Sequence, residues 1–215
     1  MNQIFMKILE ILKNFFKQKE ELPKIPDIVN PKPQEPVGRH NVTLLSISNM
    51  IFEEFKPFFG AKEKGNNTDK GGPIDRIILY MGGQLGLAWC AATVSYGALR
   101  ACEKLSIKYP SNLYKGFSSQ SMWHETAKQY VIYKPQPGFD LTGYAFVGTN
   151  PKDKAHGHTG YCNGIIGNDF KVKTFEGNDS NQLKEDIRDV RLASAFVNVA
   201  KAVLDQYILE NKANI

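Results

Sequence analysis

Cysteine is scarce in this chain. Only Cys90, Cys102 and Cys162 occur in 215 residues. A small odd number excludes a disulfide framework and fits synthesis in a reducing compartment, with at least one thiol left free. Long apolar runs are missing as well. No stretch approaches the roughly 20 apolar residues that span a bilayer. At the N-terminus the apolar residues alternate with lysines, without the continuous apolar core and small-residue cleavage site of a secretory signal. The chain is therefore expected to be made in the cytoplasm and to need another route to act outside it. Blocks of one charge are absent too. The 27 Lys+Arg and 22 Asp+Glu leave a net +5, spread so thinly that nucleic acid is not expected as a partner. There is no internal repeat. What is present is 42% hydrophobic and 23% charged, enough apolar side chain for a core in an ordinary globular chain.

The chain divides by composition into an amphipathic helix (1–21), a Pro-rich linker (22–40) and a main domain (41–215). Within residues 3–20, Ile4, Phe5, Ile8, Leu9, Ile11, Leu12, Phe15 and Phe16 recur at helical spacing, opposite Lys7, Glu10, Lys13, Asn14 and Lys17. A stripe this apolar has to be covered, either by packing or self-association or by a membrane surface. Pro23, Pro26, Pro31, Pro33 and Pro36 then exclude helix and central strand and predict a stiff, extended linker.

The main domain opens with helical patterns. Thr43 to about Phe59 reads as a helix with Leu44, Ile47, Ile51, Phe52 and Phe55 inward. Gly60–Gly72 is a polar loop, and Pro73 opens a short helix carrying Ile74, Ile77, Ile78 and Met81. A further helix runs from Cys90 to about Leu105. Its stripe of small residues, with Ala92 and Gly97 keeping it thin, suits close approach to a sheet, and Cys102 belongs to its core face. Ser118–Tyr130 is a last helical pattern. After Pro135–Gly138 the periodicity changes. Thr142–Gly148, His156–Ile166 and Phe170–Gly177 are rich in β-branched, aromatic and glycine residues and predict antiparallel strands. Ile187–Val199 fits a strand or the start of a helix, and 200–211 fits a helix. Helices first and strands later predict an α+β domain, with the helices packed on an antiparallel β-sheet.

Gln84–Tyr96 is the stretch around which chemistry would be built. A Gly-containing loop leads into Trp89, Cys90 and a run of helix formers. A cysteine in the first turn of a helix faces unpaired N–H groups and the positive end of the dipole, which favour thiolate. Taken alone, Cys90 fits a buried core cysteine more readily. A base is offered by His158. It lies between Gly157 and Gly160 on a predicted strand, where missing side chains leave an imidazole room. His40 and His124 read as surface or structural. His156, His158 and Cys162 could share a face as metal ligands, but no fourth ligand stands at a recognisable spacing, so no metal or other cofactor is expected. Glu176 and Asn178 end the next predicted strand and can reach the imidazole to set its tautomer. The arrangement suits attack of a thiolate on a carbonyl, with the backbone N–H of Cys90 as an oxyanion donor. Gln84 and Tyr80 are candidates for a second donor, and Trp89 for substrate contact.

Ala88–Val94, Gly157–Gly160 and Phe175–Asn178, in this order, resemble the CHAP family of cysteine- and histidine-dependent amidohydrolases/peptidases. Ala61–Asn67 is similar to the loop that often precedes the nucleophile helix there. The resemblance covers roughly residues 45–195. It implies a papain-like cysteine peptidase fold and cleavage of amide bonds in peptidoglycan peptides, with Cys90 as nucleophile, His158 as base, and Glu176 and Asn178 as orienting groups. The expected site of action is the cell wall. Some members bind calcium through an Asp-rich loop. Here that loop offers only Asp69 and Asp75, with Lys70 between, and no calcium is expected. The alternatives to an amidase or endopeptidase are a non-catalytic structural or assembly module and an acyltransferase acting on another amide.

Overall fold

The computed structural model describes residues 42–149 and 157–212, all of them within the unit Gln34–Ile215. The expectations for the helix at 3–20, the linker and His156 lie outside the described residues.

Helix α1 spans Leu44–Glu53. Thr43 caps it by accepting the Ser46 N–H, while the Ser46 hydroxyl returns to the Thr43 N–H, a reciprocal capping box. Pro57 cannot continue the α-helix, and Lys56–Phe58 is a 3₁₀ turn. Helix α2 is Pro73–Tyr80, with proline in its first turn. Helix α3 is Cys90–Lys104 and helix α4 is Ser119–His124. The pattern over Ser118–Tyr130 predicts a longer helix than α4. It stops because the Thr126 hydroxyl turns back onto the Met122 carbonyl while accepting the Tyr114 N–H. A 3₁₀ turn at Lys128–Tyr130 follows.

Among the described residues the sheet has six strands, β1 (Val131–Ile132), β2 (Tyr144–Thr149), β3 (Gly157–Cys162), β4 (Lys171–Asp179), β5 (Gln182–Asp189) and β6 (Ala195–Asn198), in the order β1-β6-β2-β3-β4-β5. Every pairing is antiparallel. Helix α5, Val199–Lys212, closes the described chain. The domain is thus α+β, with mixed helices on an antiparallel sheet. The strand β5 escapes the hydrophobic pattern because it is a charged edge strand whose only buried side chain is Leu183.

Helices α1, α3 and α5 cover one face of the sheet. Ile47, Ile51, Val94, Ala98, Ala202 and Val203 pack there against Ala145, Val147, Tyr161, Phe175 and Val197. Each buried isoleucine or valine among them contributes about 1.5–3 kcal/mol by leaving water. Gly97 makes room for a neighbour other than the sheet. A Cβ there would lie 2.6 Å from the Phe55 ring, so the thin point of α3 seats the aromatic that follows α1. A second cluster joins α2 to the other side of α3 through Ile74, Ile77, Ile78, Trp89, Ala92 and Tyr96. The opposite face of the sheet carries Leu141, Phe146, Cys162, Ile166, Val172, Val190 and Phe196. Among the described residues no helix is long and apolar enough to cross a membrane.

Candidate active site

The start of α3 meets the sheet where β3 and β4 part. Their ladder consists of Tyr161↔Phe175 and Cys162↔Thr174. Beyond it, Gly177 passes so close to α3 that a Cβ would stand 2.2 Å from the Thr93 hydroxyl and 2.9 Å from the Trp89 ring. Cys90 is the first residue of α3, and its backbone N–H is one of the first-turn amides without an intrahelical acceptor. Gly160 has a similar spatial role on β3. A Cβ there would meet Glu176 Cγ at 2.6 Å and the Phe175 carbonyl at 2.9 Å. The glycine after His158 therefore leaves space for the carboxylate that partners the imidazole.

His158 Nε2 is 2.7 Å from Glu176 Oε2. The other ring nitrogen, Nδ1, is left for Cys90, the second group besides Glu176 that acts on the ring's charge. Burial opposes a charged ring, but the interactions with Cys90 and Glu176 outweigh it, and the His158 pKa is pushed up from 6.5 to about 9. The ring is thus an imidazolium at neutral pH. Glu176 has 0% exposure. Burial would raise its pKa, yet hydrogen bonds from His158, Arg188 and Thr174 overcome this and hold it below the usual carboxylate range. Arg188 reaches across from β5 with a planar fork, Nε to Oε1 at 2.7 Å and Nη2 to Oε2 at 2.5 Å, and the Thr174 hydroxyl donates to Oε1. A cysteine, an imidazolium and a buried carboxylate thus stand in a row.

Asn178 lies apart from this row. It occupies a left-handed conformation, φ 59°, at the irregularity between Glu176 and Asp179. Its side-chain amide donates to Asn67 Oδ1 at 3.2 Å. Asn67 in turn donates to the Gly86 carbonyl at 3.1 Å and, through its backbone, to Glu63 at 3.2 Å, and Glu63 accepts the Trp89 indole N–H at 2.7 Å. Asn178 is therefore the first link of a polar chain that ties β4 to the two loops in front of Cys90, while the carboxylate bonded to the imidazole is Glu176. Trp89 has 0% exposure and packs between α2 and α3, so it does not present a surface to substrate. Tyr80 bonds to Glu103 and Arg100, near the far end of α3, about 15 Å along the helix from Cys90 at 1.5 Å per residue. It is not a donor at the site. Gln84 is exposed in a turn closed by the Leu87 N–H. His124 ends α4, its ring 4.2 Å from that of Trp123.

The remaining cysteines are core residues. Burial pushes the Cys102 thiol up to about 12, and it raises Cys162 as well. Cys162 sits among Leu141, Phe146 and Ile166. Glu176, Asp179 and Asp186 converge closely enough to suggest a cation site. Side-chain cations occupy that position, since Arg188 Nη2 lies 3.1 Å from Asp179 and Lys184 Nζ lies 3.0 Å from it. Asp69 and Asp75 are likewise spent within their loop. Asp69 accepts the Ile74 and Asp75 N–H groups, and Asp75 accepts those of Asp69 and Gly71 together with the Thr68 hydroxyl.

Arg188 and the role of Thr174 are absent from the sequence reading. Period-2 alternation on β4 does put Thr174 on the Glu176 face, but nothing in the polar run Gln182–Asp189 signals which residue will oppose it. Fold and site together define an α+β protein with a cysteine–histidine–glutamate constellation at a helix–sheet junction. No protein-family model, curated protein or solved structure matches the chain.

Proposed function

We propose that the protein is a papain-like cysteine hydrolase of the CHAP type that cleaves amide bonds in bacterial cell-wall peptides. The observation that carries this reading is the row Cys90–His158–Glu176, with the nucleophile at a helix N-terminus and the imidazole held by a buried carboxylate. In the reaction the Cys90 thiolate attacks the scissile carbonyl, forming the S–C bond. The oxyanion develops beside the Cys90 N–H. As the C–N bond breaks, the His158 imidazolium gives its Nδ1 proton to the leaving amine. Neutral His158 then takes a proton from water, which attacks the thioester and releases the acid, restoring thiolate and imidazolium. Glu176 stays ionised throughout and stabilises the charged ring.

A cavity of about 320 Å³ adjoins His158, with Phe146, Val172, Val190 and Phe196 as its apolar lining. Arg188 and Asp189 line it too, and it offers room for part of the substrate beside the imidazole. The net charge of +5 favours approach to the polyanions of a cell wall.

The test is digestion of purified peptidoglycan followed by mass spectrometry of the fragments. The wild-type chain should release new amine and carboxyl ends, and Cys90→Ala should lower the rate by at least about 10³-fold while retaining the fold. Equal release by the folded alanine variant would sink the proposal. A Cys90 that reacts with iodoacetamide at pH 6 no faster than a free cysteine would favour a non-catalytic module.

A further inference from the structure

Glu176 is surrounded by more donors than a general orienting carboxylate needs. Oε1 accepts from Arg188 Nε and Thr174, and Oε2 accepts from Arg188 Nη2 and His158 Nε2. These bonds engage the lone pairs of both oxygens. The planar guanidinium sets the plane of the carboxylate, and that plane sets the line along which Nε2 is held. We propose that Arg188 is a positioning residue of the catalytic row, keeping the buried Glu176 ionised and aligned on His158 Nε2. This rests on the reading of Cys90 as a nucleophile.

The physical need follows from burial. A carboxyl without solvent contact favours its neutral form. A protonated Glu176 would place a donor towards Nε2, and the ring would lose both its acceptor and the charge that stabilises imidazolium. Arg188 prevents this without strongly opposing the imidazolium, because Asp179 and Asp186 lie 3.1 and 3.8 Å from its Nη2 and offset its charge. The ionisable groups facing this cluster are Cys90 from α3, His158 and Cys162 from β3, Glu176 and Asp179 from β4, and Lys184, Asp186 and Arg188 from β5. The Arg188 side chain also lies over the Phe146 ring at 5.8 Å, and that ring is 5.8 Å from the imidazole, so its position is fixed from two sides.

The experiment is the pH dependence of iodoacetamide alkylation at Cys90, read by peptide mass spectrometry on the full chain. Wild type, Arg188→Met and Arg188→Lys are compared, with folding checked by circular dichroism. The methionine variant should move the acid limb upward by about one pH unit, so that alkylation at pH 6 falls about 10-fold. The lysine variant keeps the charge but not the fork and should show a smaller upward shift. A purely structural role would lower the melting temperature and leave the limb in place. A folded Arg188→Met with an unshifted or lowered limb overturns the proposal. If that variant does not fold, an unshifted limb in Arg188→Lys overturns it. Slow alkylation of the wild type itself at pH 6 would instead overturn the nucleophile reading on which the proposal rests.

Discussion

Glu176 is a charged side chain with 0% exposure, and its bonds to His158, Arg188 and Thr174 decide whether that charge survives. Replacing it by glutamine keeps the volume but turns one oxygen into an NH2 group facing donors. Glu176→Gln should therefore cost about 1–3 kcal/mol of stability, the penalty for unmatched buried polar groups, measurable by urea unfolding. The misaligned imidazole should lower the hydrolysis rate about 10²-fold. An activity loss without any change in unfolding would mean that the carboxylate is not the internal anchor of this cluster. At this scale the sequence is informative about residue types. A cysteine opening a helix, a histidine beside a glycine and an acid ending a strand each suggest a role. It is uninformative about partners. Asn178 and Glu176 are equally plausible supports for an imidazole when read along the chain, and only the left-handed turn at Asn178 sends its amide to Asn67 instead.

Helix α3 and strand β4 meet at the site through missing side chains. Gly177 admits the start of α3, and Gly160 admits Glu176. Gly160→Ala should push Glu176 off the imidazole. Overpacking of this kind costs about 1–3 kcal/mol, a fall of several degrees in melting temperature for a chain of this size. The rate of peptidoglycan hydrolysis should drop with it, and an alanine variant with full activity would show that the carboxylate has slack. The existence of α1, α2, α3, α5 and the strands β2, β3 and β4 is legible because their apolar residues recur at the periods of 3.6 and 2. The strands β1 and β5 are not. The first is too short to carry a period, and the second is an exposed edge whose alternation is among charges. The last three residues of β5 fall within Ile187–Val199, which fits a strand or the start of a helix, but nothing there marks Arg188 as the partner of Glu176.

For the whole molecule the consequence is a pH window. The His158 pKa is raised to about 9 from 6.5. Its interactions therefore contribute stability fully below 6.5, and that contribution is lost as pH rises through about 9. Glu176 works in the other direction. Its pKa is lowered from 4.5, so its contribution is present above that value and is lost as pH falls through the lowered one. Turnover needs the imidazolium as proton donor, whereas alkylation needs only the thiolate. Hydrolysis should fall above about pH 9 while Cys90 alkylation does not. A parallel fall of both would remove His158 from the acid role. What the sequence by itself determined is the α+β class, most of the helices and strands, and the order in which a thiol, an imidazole and a carboxylate occur. Those depend on periodicity and on local conformational preference, which neighbours in the chain dictate. Only the tertiary structure decided which carboxylate faces the imidazole, that Arg188 grips it, that Tyr80 stands elsewhere and that the Trp89 ring is buried. Those are contacts between distant segments, set by strand register and by the angle at which α3 enters the sheet.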